Sequence, residues 1–323
     1  MAKLSQKQLT AVIVCSVLAG GVIIGGTTGG ILAKVLKPEK QNFDDILDQV
    51  DNSTTNVEEA KSIMDRYQKC MDENKDPTEE FAIHELIFIA EQRFLALDNT
   101  MTLGFGYASA AGNVSVLDVR NTCIKNGERY FEESISKSAS GIDIKVAERA
   151  YQENDEIKVH EATFAKGANA EHPTWKDEYS TWNKTDYRTN YGKTVDTLGI
   201  YIVNEKTIIQ GENTYITKDD TGYTLTMEMD TIYTVPRYVR RMHALSNSDV
   251  SKFYYVNLEY RLDLELNLVY SYVHEQYAAR LGEISAKTTG RMITYYYTDD
   301  DYMIPDINTS INYDLKGEKL PEE

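Results

Sequence analysis

The residues that most invite a chemical reading are the pair His84-Glu85, the acidic run Asp299-Asp300-Asp301 with Asp306 nearby, and the thiols Cys70 and Cys123. A His-Glu pair on a helix is half of a zinc pattern that needs a second histidine four residues on. That position is Phe88, so the pair cannot close such a site. His160, His172, His243 and His274 are scattered, and no metal is expected from them. The 299–301 carboxylates are hard oxygen donors of the kind calcium takes, or else a solvated turn, which is the preferred reading. No nucleophile elbow, phosphate-binding loop or dinucleotide glycine pattern occurs. The expectation is therefore a protein with no catalytic residues and no cofactor. Carboxylate chemistry on a glycan is the enzymatic option that stays open. Cys70 and Cys123 are the two thiols outside the apolar N-terminal run, and in an oxidising compartment they could form one disulfide between a helix and a strand.

The elements that must position any site are read from composition and period. The 323 residues carry a formal charge of −17, which argues against nucleic-acid binding, since phosphate neutralisation needs a basic surface. Between Lys7 and Lys34 no side chain but Cys15 is ionisable. As a helix that stretch spans about 39 Å, enough to cross a bilayer core. It exceeds a signal-peptide core and lacks an evident cleavage site, so an uncleaved single-pass anchor is expected. The expected divisions are a cytoplasmic tail (1–7), a transmembrane anchor (8–36), a polar tether (37–53), a helical layer (54–99), an antiparallel β domain (100–315) and a C-terminal tail (316–323). Beyond residue 40 there are 29 basic and 50 acidic residues, a net −21, and this large part is placed extracytoplasmically at the cell membrane. Gly21, Gly25 and Gly29 share a spacing of four. That spacing permits a homodimer through close helix approach, or reflects only the general frequency of glycine in membrane helices.

Two amphipathic helices are predicted next. One follows Asn56 through Ile63, Tyr67 and Cys70. The other starts at Pro77 and places Ile83, Ile87, Ala90, Phe94 and Leu97 on one side. From Met101 the period becomes two, with strand runs such as Tyr223-Leu225-Met227-Met229 separated by turn residues. The predicted fold class is α+β, a helix pair on a large curved antiparallel sheet in one long meander. The run from Tyr254 to Thr298 reads as four strands, broken near Leu266, Tyr277 and Met292. Lys166 to Gly192, with Trp175, Tyr179 and Trp182, reads as a long aromatic loop. Nineteen of the 23 tyrosines lie between Tyr179 and Tyr313, where they are either β-sheet filler, the lining of a groove, or a protein-binding surface.

A helix pair followed by a meander with a late short helix (Pro236 to Leu245) resembles the half-barrel lipoprotein carriers of bacteria, LolA/LppX-like, over about residues 54–315. Ile83–Leu97 would be the covering helix, Tyr223–Met229 and Leu266–Gln276 the curved strands, and Lys218–Tyr223 and Leu262–Leu266 the polar hairpin turns. The resemblance implies a non-catalytic module that shelters a lipid or another apolar ligand. Phe81, Ile87 and Phe94 would then face Tyr223, Leu225, Met227, Leu268, Tyr270 and Tyr272 across a groove, with the Trp175–Trp182 loop as lid. The competing class is a cell-envelope interaction or assembly protein with a solid β scaffold and an aromatic contact loop.

Overall fold

A computed structural model describes residues 57–97, 99–110, 113–123, 129–137, 142–166, 174–191, 198–199, 201–239, 249–281 and 284–298. The expected anchor, its glycines and the 299–301 acidic run lie outside them. No helix among the described residues is long and apolar enough to cross a membrane.

Helix α1 (Val57–Asp72) has Glu58 and Glu59 in its first turn and Lys69 in its last, each favourable to the helix dipole. Ile63, Tyr67 and Cys70 form its buried stripe. It stops where Asn74 turns left-handed at φ 51, a conformation asparagine tolerates, and Lys75 N–H closes back on the Cys70 carbonyl at 3.0 Å. The single helix predicted from Pro77 is in fact two. The short α2 (Pro77–Glu80) is capped by Asp76, whose carboxylate accepts the Thr78 N–H at 3.0 Å. The chain then goes extended at Phe81 and Ala82. The longer α3 (Ile83–Leu95) starts with the Glu85 carboxylate accepting the Ala82 N–H at 2.9 Å. The Glu85 that suggested half a zinc motif thus holds a helix start, and it also pairs with Arg66 at 2.8 Å.

Among the described residues twelve strands follow: β1 (Thr100–Ala110), β2 (Asn113–Cys123), β3 (Arg129–Lys137), β4 (Ile142–Glu153), β5 (Glu156–Lys166), β6 (Thr174–Asn183), β7 (Ile208–Ile209), β8 (Tyr215–Asp219), β9 (Gly222–Met229), β10 (Asp249–Asp263), β11 (Leu268–Leu281) and β12 (Ile284–Tyr297). They make one open antiparallel sheet in the order β6-β5-β4-β3-β2-β1-β12-β11-β10-β9-β7, with β8 also on β9. This is two meanders rather than one. The first strand pairs with the last, from Met101↔Tyr297 to Ala110↔Thr288, and that seam joins them. The run from Tyr254 to Thr298 is three long strands, not four, because Tyr277 continues β11 instead of starting a new strand.

The predicted aromatic loop is also corrected. Trp175 and Trp182 lie in β6, an edge strand, and Lys184–Tyr191 forms helix α4. Aromatic and β-branched residues favour a strand despite their polar neighbours. Asn183 then caps α4, accepting the Asp186 N–H at 2.8 Å, an Asn-x-x-Asp signal that composition obscured.

The main core lies between α1–α3 and strands β7 and β9–β11, with Val235 and Tyr238 from the segment between β9 and β10. A smaller cluster joins Ala150, Ile157, Val159 and Tyr187 at the far side of the sheet, and Trp182 packs on it.

Candidate functional site

The sheet offers two faces, and register decides which residues each receives. On the helix-covered face the expected groove residues Phe81, Ile87, Phe94, Tyr223, Leu225, Met227 and Leu268 do come together. None is more than 5% exposed, and all belong to one packed cluster. Phe94 meets Tyr296 of β12 edge-on at 5.3 Å, tying α3 to the sheet. The remaining expectations separate from this group. Tyr270 and Tyr272 sit on the opposite face, because the irregular pairing between Arg261 and Leu262 shifts the register after Leu268. Trp175 and Trp182 belong to β6, the edge strand at the other end of the sheet, and not to a loop. Cys70 is a free buried thiol whose Sγ–H points to the Lys75 carbonyl at 3.6 Å, and burial pushes its pKa up. The expected bridge to Cys123, which ends β2 opposite Thr100, is therefore not formed.

Further along the inner face lies a polar cluster that sequence reasoning missed. Glu275 of β11 is 1% exposed. Tyr201 donates to its Oε2, and Tyr238 donates to its Oε1 at 3.3 Å. Burial pushes the Glu275 carboxyl up to about 8, against the lowering effect of the two phenols. Burial, with the nearby carboxyl, holds Tyr201 and Tyr238 well above the ordinary tyrosine value. Gly290 stands directly across on β12, where an added Cβ would lie 2.9 Å from the Glu275 carboxylate. Next along, the buried hydroxyls of Tyr277 and Thr288 face each other without a well-formed hydrogen bond. In the sequence the only trace is one carboxylate at an inward position of the alternation Ser271, Val273, Glu275, Tyr277.

The outer face is different. Leu103 of β1, Tyr295 of β12 and Tyr270 of β11 form one cross-strand row. Phe105, Ile293 and Tyr272 form the next, and Tyr107, Arg291 and His274 the third. Phe105 is 47% exposed, Tyr107 41% and Tyr297 39%. The hydroxyls bond laterally: Tyr270 donates to Glu259 at 2.8 Å, and Tyr255 pairs with the His274 ring at 2.8 Å. This patch was legible in principle, since Leu103, Phe105 and Tyr107 alternate with Gly104, Gly106 and Ala108, which places the large residues on one side and the small ones on the other. No cluster able to hold a metal ion occurs among the described residues.

No protein-family model and no curated protein matches the chain. Solved structures similar to it include the KdgM porin, at 11% identity and TM-score 0.24, over 60% of this chain and 98% of the porin. A DUF1329 family protein from Desulfovibrio piger matches at 8% identity and TM-score 0.28, over 68% of this chain and 93% of that one. A LolA superfamily protein from Nitrosomonas europaea matches at 9% identity and TM-score 0.21, over 72% of this chain and 97% of that one. The LolA superfamily whose resemblance the sequence suggested is thus among the matches, at a level that carries no argument about function.

Proposed function

We propose that this chain is a non-catalytic, membrane-held, extracytoplasmic binding protein that works through the outer face of its sheet, with the helix-covered face as a solid scaffold. One contrast carries the reading. Seven of the residues expected to line an internal groove are packed at 0–5% exposure, while Phe105, Tyr107 and Tyr297 are 39–47% exposed on the other face. Beside a packed core, rows of half-exposed aromatics on the other face support a contact surface there. The charge-free run from residue 8 to residue 33 supports placement at a membrane.

The test has two arms on the purified full chain, exchanged into lipid-free detergent. Denaturing extraction and mass spectrometry should find no stoichiometric acyl ligand, and one retained in that proportion would restore the groove reading. Phe105→Ser with Tyr297→Ser should weaken binding of a hydrophobic anilinonaphthalene dye, measured against a protein-free detergent blank, while the variant keeps a cooperative unfolding transition with a stability loss of about 1–3 kcal/mol, as expected for two half-exposed strand aromatics.

A further inference from the structure

The outer face ends in a group of cations. Lys252 of β10 and Lys287 of β12 flank Ala278 of β11 in register. Their ammonium groups lie 5.6 Å and 4.5 Å from the Tyr254 ring centroid. Arg291 lies 6.0 Å from the Tyr107 ring centroid. All three are exposed. None forms an ion pair among the described residues, in a chain with 51 carboxylates and a net charge of −17. Arg66, Lys75, Lys158, Lys218 and Arg261 all have carboxylate partners. Lys252 and Lys287 repel one another across Ala278, with Arg291 four residues further along β12, and among the described residues Tyr254 and Tyr107 offset that through cation–π contact. Among the described side chains on the aromatic part of this face, Glu259 accepts from Tyr270.

We infer that this face lies on a bilayer containing anionic lipids, its aromatic rows at the headgroup level and Lys252, Lys287 and Arg291 on lipid phosphates. The inference rests on the outer-face reading above and names its partner. Tyrosine favours the membrane–water interface, because its ring is apolar and its hydroxyl wet. Leu103 and Ile293 beside Phe105 give the patch an apolar character that suits acyl chains better than the polar faces of sugars. Charge complementarity decides the rest, since phosphates supply the anions these cations lack. Each such cation near an anionic surface is worth about a factor of five in binding.

The test uses the full chain in vesicles of phosphatidylcholine alone, or of phosphatidylcholine with phosphatidylglycerol, each containing brominated lipid as a contact quencher. Phe105→Trp should show quenching beyond that of the wild-type chain, which carries Trp175 and Trp182. The added quenching should be several-fold greater with phosphatidylglycerol and should fall with salt. Adding K252Q, K287Q and R291Q should reduce the docked fraction by roughly one to two orders of magnitude. Equal added quenching in both vesicle types, or none in either, overturns the inference. So does a lipid-independent dimer that Phe105→Ser converts to monomer, which would make a second copy the occupant. Either failure leaves the dye and extraction results intact, so losing the bilayer as partner is distinguishable from losing the outer face as contact.

Discussion

Glu275 shows how one side chain can set a pH dependence for the whole fold. In the unfolded chain its carboxyl should titrate near the ordinary glutamate value of about 4.3. In the native state burial raises it to about 8, against Tyr201 and Tyr238, with Tyr277 also facing it. Between those values the folded protein holds a proton that the unfolded chain has released. Stability is therefore fully present below the unfolded value, and it falls as pH rises, by up to about 1.4 kcal/mol per unit, until the folded value is passed. Glu275→Gln removes the titration, so its urea midpoint should fall less steeply over this window than that of the wild type. Equal slopes would mean that Glu275 is solvated and ionised at neutral pH. Gly290 belongs to the same arrangement. In Gly290→Ala the new methyl meets the carboxylate at 2.9 Å and its Cγ at 3.2 Å, so the Glu275 side chain must shift from its two phenols, at a cost of about 1–3 kcal/mol. A double-mutant cycle with Glu275→Ala should show the two positions coupled rather than additive. The sequence shows a glutamate and a glycine fifteen residues apart, and only the β11–β12 register makes them neighbours.

At the scale of elements, the turn between β10 and β11 joins the helices to the sheet. Asp263 accepts the Glu265 N–H at 2.9 Å and the Asn267 N–H at 2.8 Å, and also takes the Asn267 side-chain amide at 2.8 Å. This holds Leu266 at φ 61, an uncommon conformation for leucine, while its side chain is fully buried in the main core. Tyr67 of α1 donates to the Glu265 carbonyl at 3.0 Å, and Arg93 of α3 donates to Asn267 at 2.8 Å, so both long helices dock on this turn. Asp263→Ala should lose about 2–3 kcal/mol, more than one exposed turn bond would explain, because three hydrogen bonds go together and with them the hold that keeps Leu266 buried. A loss below about 0.5 kcal/mol in urea unfolding would show that the turn holds itself without Asp263. The helix pair, the strand periods and this polar turn were legible from the sequence, since each follows from local pattern. The capping at Glu85 and Asn183 was written there too, but was hidden by a metal-like dipeptide and by aromatic density. The side of the sheet on which Tyr270 and Tyr272 emerge was not legible, because one irregularity in pairing between Arg261 and Leu262 reverses it.

For the whole molecule, the seam between β1 and β12 is the decisive feature. The large core draws its described side chains from α1–α3, β7, β9–β11 and the segment between β6 and β10. The far half contributes the small cluster of Ala150, Ile157, Val159 and Tyr187. A group of strands gains stability from pairing to a packed neighbour. Among the described strands that pairing reaches the far half through β1 on β12. Gly106 lies in the middle of the seam opposite Met292, and an added Cβ there would sit 2.6 Å from the Arg291 carbonyl oxygen and 3.0 Å from the Met292 Cβ. Neither backbone can yield without spreading the strands, so Gly106→Val should open the seam. Amide hydrogen exchange then separates two outcomes. If the halves are linked as argued, the amides of β4–β6 lose protection by about 2 kcal/mol or more, while those of β9–β11 change far less, held by the helices and the main core. Equal loss in both halves would show one cooperative unit and a far half that supports the core as much as it depends on it. The unequal outcome would place the outer aromatic face, which straddles β1, β12 and β11, across the hinge between a rigid half and a yielding one. Its partner would then brace the seam, and docking should raise protection in β4–β6 without altering β9–β11.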